Sequence, residues 1–288
     1  TNGASLKKVT NCVLLKFPHN KEDATVTTED FIISLFCLVD DRMDKLGKRS
    51  DATLYPSELV TIGLLFALKG GYFRAFYRWL KRDFETLFVR LPDRTRIQRA
   101  LRAHRNWCDR LLADPTFFTV IDTYGIELIH PVREGRSRQP LGKKGKSNRR
   151  WIVGIKLCWL VNDRGEVVAW DWDAANVHDQ TFRPVAHQFD QQTIVLSDFG
   201  FKKAGEAARN LKFCAHKTWS ERMLVETMFS LATRVCRLKQ LFHRRAVYLE
   251  THLAFVSALF NLLLQLNRLF EPDAAPDDRL LKFAHFAL

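Results

Sequence analysis

Three acidic residues stand where phosphoryl-transfer chemistry could be built. Asp122 ends the apolar, β-branched run 117–122, and Asp198 ends a second such run, 193–198. Glu226 lies in a stretch with helical periodicity. Two strand-end carboxylates and one helical carboxylate can hold two Mg²⁺ ions about 3.5–4 Å apart, one for the attacking oxygen and one for the leaving oxygen. These residues therefore predict metal-dependent chemistry at a phosphodiester.

The charge balance favours a polyanionic partner. The chain of 288 residues has 45 Lys and Arg against 32 Asp and Glu, a formal net charge of +13. An excess of this size favours nucleic acid as the partner, and a basic enzyme with another substrate is the alternative. With 47% hydrophobic residues, the chain can build one large domain or two smaller ones.

The N-terminal part of the chain has helical patterning. Residues 1–26 show no periodicity and are predicted to be a lead-in segment, and 271–288 a C-terminal tail. Residues 27–115 are predicted to form an all-helical, DNA-binding domain of short helices with short connections. These helices are predicted to begin near Thr28, Ser57, Tyr72 and Arg94.

The fourth predicted helix has arginines at a spacing of three residues. This step keeps the guanidinium groups along one slowly drifting face, with Ile97 and Leu101 opposite. Such a face suits contact with phosphates or entry into a major groove, and a solvated charged face is the alternative. The predicted DNA contacts are Arg94, Arg96, Arg99, Arg102 and Arg105.

Residues 116–270 are predicted to form an α/β domain. After Asp122 the chain through Tyr124, Ile126 and Leu128 either extends the strand or turns. The stretch 133–150, with eight basic residues and one acidic residue, is predicted to be a loop that is mobile without a partner. A strand–turn–strand signal follows over residues 151–172, and a further strand ends at Asp198. This order predicts an RNase H-like core, a mixed sheet flanked by helices. The predicted DNA contacts of the basic stretch are Lys143, Lys144, Lys146, Arg149 and Arg150.

Neither a membrane span nor a metal finger is predicted. The most apolar stretch, 254–266, is only about thirteen residues long, whereas a span needs roughly twenty. It is predicted to be a buried core helix. The six cysteines form no C-x-x-C pair and are predicted to be reduced thiols of an intracellular protein.

Several short motifs resemble those of bacterial insertion-sequence transposases that use a DDE triad on an RNase H-like fold. Each motif alone is weak, but their order and spacing together are specific, and the resemblance covers residues 28–268. Two departures are Trp219, where the family has tyrosine, and Thr233, where some branches have lysine. The motifs are Y-P-S-E at 55–58, L-P-D-R-T-R at 91–96, V-I-D-T at 120–123, G-I-K-L at 154–157, A-N-V-H-D at 175–179, S-D-F-G-F at 197–201 and W-x-x-R-x-x-x-E at 219–226.

The resemblance implies a DNA transposase whose triad is Asp122, Asp198 and Glu226. These residues would bind two Mg²⁺ ions, replaceable by Mn²⁺, and catalyse strand cleavage at element ends and strand transfer into target DNA. The implied partners are double-stranded DNA and a second copy of the chain on DNA, with no membrane, in the bacterial cytoplasm at the nucleoid. Further predicted DNA contacts are Lys156, His178, Arg222 and Arg234.

Alternatives remain for individual residues. Arg222 could orient Glu226, contact a phosphate or form an ordinary intrahelical ion pair. Glu221 is the rival of Glu226, although the helix dipole already explains an acid in the first turn. His178 could equally be a plain hydrogen-bonded histidine, since no second ligand at zinc spacing accompanies it. The other carboxylates near the site are Asp171, Asp173 and Asp179. Asp171 and Asp173 share one face of a strand and are predicted to be surface positions, with approach of one of them to the metals as the alternative. Four tryptophans are predicted to be mainly core residues, with base stacking as the alternative: Trp151, Trp159, Trp170 and Trp172.

Two other functions compete with the transposase. An RNase H-like nuclease would cut DNA without joining it, and a transposase relic would bind DNA without catalysis. The helical domain and the basic stretch favour the transposase, because transposition requires recognition of DNA ends as well as cleavage.

Overall fold

A computed structural model describes residues 27–43, 46–88, 90–136, 141–147, 150–215 and 222–270. The chain divides into two compact units. The first contains the residues up to Leu111 and those from Thr251 onwards, and the second is Leu112–Glu250. The domain boundaries predicted from the sequence lie between residues 115 and 116 and between residues 270 and 271. They differ from this division and stay a prediction. The predicted lead-in and tail, Arg149, Trp219 and Glu221 lie outside the described residues.

Four helices make up the N-terminal part of the first unit, as predicted. Thr27 precedes the first of them, and its hydroxyl accepts a hydrogen bond from the Asp30 amide at 3.1 Å. The second helix starts with proline and stops at Gly70, whose φ of 66° suits glycine. The helices are α1 Thr28–Met43, α2 Pro56–Lys69, α3 Phe73–Phe84 and α4 Arg94–Ala103, followed by a 3-10 helix, Arg105–Leu111.

The first unit is completed by the later part of a long apolar helix. This helix spans Ala246–Phe270, nearly twice the thirteen residues predicted. It is numbered α7, and from Thr251 it belongs to the first unit, where the ring of His252 lies 5.3 Å from that of Phe66 on α2. By length and composition α7 could cross a membrane, and 83% of its apolar window is buried within the protein.

Gly63 is the point where α2 has no room for a side chain. A β-carbon at Gly63 would overlap the ring of Phe255 on α7. Overpacking of this kind typically costs about 1–3 kcal/mol, more than the helix propensity gained from alanine.

Gly63→Ala is therefore expected to lower the free energy of unfolding, measured by urea denaturation. Gly47 has open space around it, so Gly47→Ala is the matched control. Equal stability of the two variants would contradict this packing.

The second unit is built on a six-stranded mixed sheet. The strands β1, β3, β4 and β2 pair antiparallel, with β3 in contact with the other three. The pairs β1–β5 and β5–β6 are parallel. The order is β2-β3-β1-β5-β6, with β4 also on β3, and the predicted RNase H-like fold class is confirmed. The strands are β1 Phe118–Ile129, β2 Lys143–Ser147, β3 Arg150–Asn162, β4 Val167–Ala174, β5 Ile194–Ser197 and β6 Leu211–Phe213.

Helices cover both faces of this sheet. On one face, β3 contributes Cys158 and Leu160 to a core shared with Val185 and Ala186 of α5, Arg183–His187. On the other face, α6, Arg222–Val235, packs against β1 and β3. The alternation of side chains along a strand thus gives each face its own helical cover.

One local prediction is wrong. The stretch 133–150 is not wholly a loop, because Lys143–Ser147 forms β2, paired with β3 over residues 150–154. Backbone hydrogen bonds hold this lysine-rich edge strand without apolar burial, and edge lysines are common. Of the two alternatives after Asp122, the extended strand is the one observed, because β1 continues to Ile129 along β3.

The cysteines differ in part from the prediction. Cys108, Cys158 and Cys236 are buried free thiols. Cys37 is disulfide-bonded, so the prediction of six reduced cysteines is wrong for that residue. Cysteine spacing along a sequence does not reveal which thiols the fold brings together.

Candidate active site

Parallel pairing of β1 and β5 brings the two aspartates side by side. Val120 on β1 is in register with Leu196 on β5, and the aspartates are each two residues further along. β5 ends at Ser197, just before Asp198, whereas β1 runs on past Asp122. The site therefore lies at the carboxyl end of β5, beside the continuing β1, and the carboxyl ends of strands are a usual place for ligands in α/β sheets.

Backbone amides hold one oxygen of each aspartate. The Thr123 amide donates to Asp122 Oδ1 at 2.7 Å, and the Gly200 amide donates to Asp198 Oδ1 at 2.8 Å. A β-carbon at Gly200 would lie 2.9 Å from Asp198 Oδ1, so this close approach requires glycine. In both aspartates the second oxygen, Oδ2, is left for the centre of the site.

An aromatic stack places α6 against the sheet. The ring of Phe229 on α6 lies 5.1 Å from that of Tyr124 on β1 and 4.9 Å from that of Trp159 on β3, nearly parallel to both. The Thr233 hydroxyl, one turn further on, donates to the Tyr124 hydroxyl at 3.2 Å. Thr233 thus anchors the helix to β1.

The same helical face carries Arg222 and Glu226 to the two aspartates. Residues 222, 226, 229 and 233 follow steps of four, three and four, so they share one side of α6. Arg222 Nε lies 3.0 Å from Glu226 Oε1. The guanidinium also lies 3.7 Å from Asp122 Oδ2 and 3.7 Å from Asp198 Oδ2. The three predicted catalytic carboxylates therefore converge on one positive charge.

Burial alters the acidity of Asp122. Its side chain is 15% exposed, and desolvation raises its pKa to about 7. The hydrogen bond from the Thr123 amide and the charge of Arg222 oppose this shift, and the charges of Asp198 and Asp179 add to it. At neutral pH the carboxyl is therefore poised between its neutral and charged forms.

This pKa predicts a pH-dependent stability in metal-free protein. In the unfolded chain Asp122 loses its proton near pH 4, but in the folded chain near pH 7. Folded wild type therefore binds more protons between these values and loses stability as pH rises. Asp122→Asn removes the effect, so its stability relative to wild type is expected to rise by up to about 3 kcal/mol between pH 5 and 8. Urea unfolding with a chelator measures this, and a pH-independent difference would contradict it.

The donor set fits a hard divalent cation in chemistry and charge. Carboxylate oxygens are the ligands that Mg²⁺ prefers, and here the Arg222 guanidinium stands in as the cation between them. In the part of the chain that the structure describes, no group of three His, Cys, Asp or Glu side chains is arranged to hold a metal ion. Asp122, Asp198 and Glu226 therefore need a shift of side chains to become a metal site.

A partly buried ion pair supports the site from the opposite face of β1. Lys156 Nζ donates to Asp179 Oδ1 at 2.8 Å and to the Val177 carbonyl at 2.9 Å. The Thr123 hydroxyl donates to the same Asp179 oxygen at 2.8 Å. The side chains of Lys156 and Asp179 are 15% and 26% exposed. Asp179 is thus a partner of β1, and the ammonium of Lys156 faces inward.

Asp179 and Arg183 are supporting residues that the sequence reasoning missed. A β-carbon at Gly200 would lie 3.0 Å from Asp179 Oδ2, so Asp179 lies beside the turn that follows Asp198. The buried guanidinium of Arg183 donates to the carbonyls of Phe201 and Ala207 and holds the next part of that loop. The A-N-V-H-D motif was the available signal for Asp179.

The Lys156–Asp179 pair predicts strong energetic coupling. Lys156→Met or Asp179→Asn alone leaves a partly buried partner without its counter-charge, which is expected to cost about 1–3 kcal/mol. The double variant removes both charges and is expected to lose at least about 1 kcal/mol less than the sum of the single losses. Unfolding free energies of the four proteins measure the coupling. Additive losses would show that the two groups do not act as a pair.

The predicted DNA contacts occupy several exposed surfaces. On α4, Ile97 and Leu101 are buried as predicted, and the arginines lie on the other side. His178 is exposed at the start of a 3-10 helix, Asp179–Phe182, and Arg234 is exposed on α6. The exposed basic side chains are Arg94, Arg96, Arg99, Lys143, Lys144, Lys146, Arg150 and Arg234, whereas Arg102 and Arg105 are half-buried.

The tryptophans divide between core and surface. Trp159 is fully buried in the stack with Phe229, whereas Trp151, at the start of β3, is 59% exposed. Lys144 Nζ lies 5.7 Å from the centre of the Trp151 ring and 3.5 Å from Glu134. The edge formed by β2 and the start of β3 thus combines exposed basic and aromatic groups.

Residues 112–201 match the family model described as a transposase DDE domain. The matched segment contains β1 to β5 and the first two aspartates, and Glu226 lies beyond it. No curated protein and no solved structure matches the chain.

Proposed function

We propose that this chain, which carries a transposase DDE domain as its motifs predicted, cuts DNA at the ends of a bacterial insertion sequence and joins the freed ends to target DNA. The observation that carries the proposal is the convergence of Asp122, Asp198 and Glu226 on one cation. Three carboxylates from separate elements form a donor set that suits phosphoryl transfer. DNA is the substrate class that the domain implies.

Asp122, Asp198 and Glu226 would hold two Mg²⁺ ions, for which Mn²⁺ can substitute. When bound, such ions lower the pKa of an attacking water or hydroxyl and neutralise charge on the phosphate. The two backbone amides on Asp122 Oδ1 and Asp198 Oδ1 leave the Oδ2 atoms available as ligands. Because a ligand carboxyl must be deprotonated, Asp122 favours metal binding above its pKa of about 7.

The proposed reaction consists of two in-line displacements at phosphorus. In the first, water attacks a phosphodiester at the element end, and the P–O3′ bond breaks to leave a 3′-hydroxyl and a 5′-phosphate. In the second, this 3′-hydroxyl attacks a target phosphodiester, forms a new P–O3′ bond and releases a target 3′-hydroxyl. The protein contributes chiefly by fixing the carboxylates and by excluding alternative orientations of the DNA.

DNA binding is proposed to use the exposed basic surfaces. The arginines of α4 and the lysines of β2 are suited to phosphates, which position a duplex without reading its sequence. Binding by these groups depends on counter-ion release and weakens as salt rises. Two element ends must meet in one complex, so we propose a homodimer on DNA, acting at the nucleoid in the bacterial cytoplasm.

Cleavage and joining of duplex DNA carrying the flanking ends of the gene tests the proposal. Asp198→Ala is expected to lower both activities in Mg²⁺ or Mn²⁺ by about 100- to 1000-fold, the scale seen when one charge-stabilising group is lost. Asp163→Ala is the matched control, because Asp163 is an exposed residue of the turn between β3 and β4. Its activities are expected to equal those of wild type.

The outcomes separate the competing functions. Metal-dependent nicking and joined product, both lost in Asp198→Ala, support the transposase. Nicking without joining would replace it by an RNase H-like nuclease. Specific binding without cleavage in wild type would leave a non-catalytic DNA-binding protein.

A further inference from the structure

We propose that Arg222 is a built-in counter-ion, which holds the three carboxylates together in the metal-free protein and is displaced when divalent cations bind. The inference rests on the proposed function, because it takes Asp122, Asp198 and Glu226 to be the metal ligands. It assigns Arg222 a role different from an ordinary ion pair within α6.

Charge and position support this role. Among the described residues, Arg222 is the only basic side chain ion-paired with Asp122, Asp198 or Glu226. It reaches carboxylates of β1, of the turn after β5 and of its own helix. Without this cation, two to three negative charges would repel each other beside the buried end of Asp122.

The stability of α6 does not account for an arginine at this position. Arg222 and Glu226 form an i, i+4 pair on α6, and such a pair stabilises a helix by only about 0.2–0.5 kcal/mol. Arginine four residues before glutamate is also the weaker order for an intrahelical ion pair. The gain from Arg222 must therefore come largely from the aspartates of the sheet.

The contacts of Arg222 allow its side chain to be displaced from the carboxylates. Its Nε lies 3.0 Å from Glu226 Oε1, but this ion pair is not a hydrogen bond, and among the residues that the structure describes the buried Nε has no hydrogen-bond partner. Its 3.7 Å separations from the aspartate oxygens are too long for hydrogen bonds. The side chain is 28% exposed and so has a route to solvent. A divalent cation at the same oxygens brings twice the charge and can replace it.

Displacement of Arg222 has two measurable consequences. Metal binding must break the arginine contacts, so the wild type is expected to bind metal more weakly than a variant without this charge. Arg222→Gln is expected to bind Mn²⁺ about five- to tenfold more tightly, the scale of one screened charge pair at about 4 Å. The same variant is expected to have a lower Tm without metal and to gain more from saturating Mn²⁺ than wild type does.

The experiment is a calorimetric Mn²⁺ titration of the full chain without DNA, with Tm measured in parallel. Arg234→Gln is the matched control, because it removes one arginine about 18 Å further along α6, and less than a twofold change is expected. Arg222→Lys keeps the charge on a shorter, compact group. It tests the inference even if Arg222→Gln does not fold, with an expected affinity between those of wild type and a neutral variant.

A spectroscopic readout reports displacement directly. The Arg222 Nε–H resonance, identified by its loss in Arg222→Lys, is expected to shift on addition of Mg²⁺ and to exchange faster with solvent. The Asp198→Asn protein is expected to show a weaker response at the same Mg²⁺ concentration.

The outcomes distinguish this inference from the proposed function. Tighter Mn²⁺ binding by Arg222→Gln, together with the Mg²⁺-dependent shift, supports the counter-ion role. Unchanged or weaker binding by Arg222→Gln, at a site that Asp198→Asn weakens, overturns that role and leaves the metal site standing. Absence of any Mn²⁺ binding that depends on Asp198 overturns the inference and the metal-dependent function together.

Discussion

A carboxylate that is shielded from water needs a positive charge beside it to stabilise its charged form. Asp122 is such a carboxylate, and the neighbouring elements of the second unit meet this requirement. Its place in the middle of β1 raises its pKa to about 7, and the approach of Asp198 adds further negative charge. α6 supplies the compensating cation, Arg222. The stack of Phe229 on Tyr124 and Trp159 fixes α6 so that this cation and Glu226 arrive together.

The carboxylate site lies on one face of β1, and the contacts that support it lie on the other face. Thr123 points away from Asp122, and its hydroxyl meets Asp179, which Lys156 neutralises. The pair therefore adds structure near the site without adding an uncompensated charge. Gly200 permits the close approach of Asp198 and Asp179. Such supporting contacts limit the movement of Asp122 and Asp198, the proposed catalytic aspartates, while one oxygen of each stays available.

Local patterns predicted the elements, and long-range pairing determined the site. The β-branched runs and helical periodicities indicated most strands and helices, including those of Asp122, Asp198 and Glu226. The sequence left the continuation after Asp122 open between a longer strand and a turn, because the extension of β1 depends on pairing with β3. β2 was missed because its lysines carry no apolar signal. The contact of Arg222 with the two aspartates depends on where α6 packs, and sequence spacing supports only its pairing with Glu226.

Anomalous diffraction from crystals of the protein soaked in Mn²⁺ would test the central claim most directly, since it locates the metal without reference to activity. The account predicts anomalous peaks in contact with the carboxylates of Asp122, Asp198 and Glu226, with the Arg222 guanidinium moved away from them. Peaks confined to other carboxylates, such as Asp171 and Asp173 on β4, or no peak at the triad under saturating Mn²⁺, would contradict it.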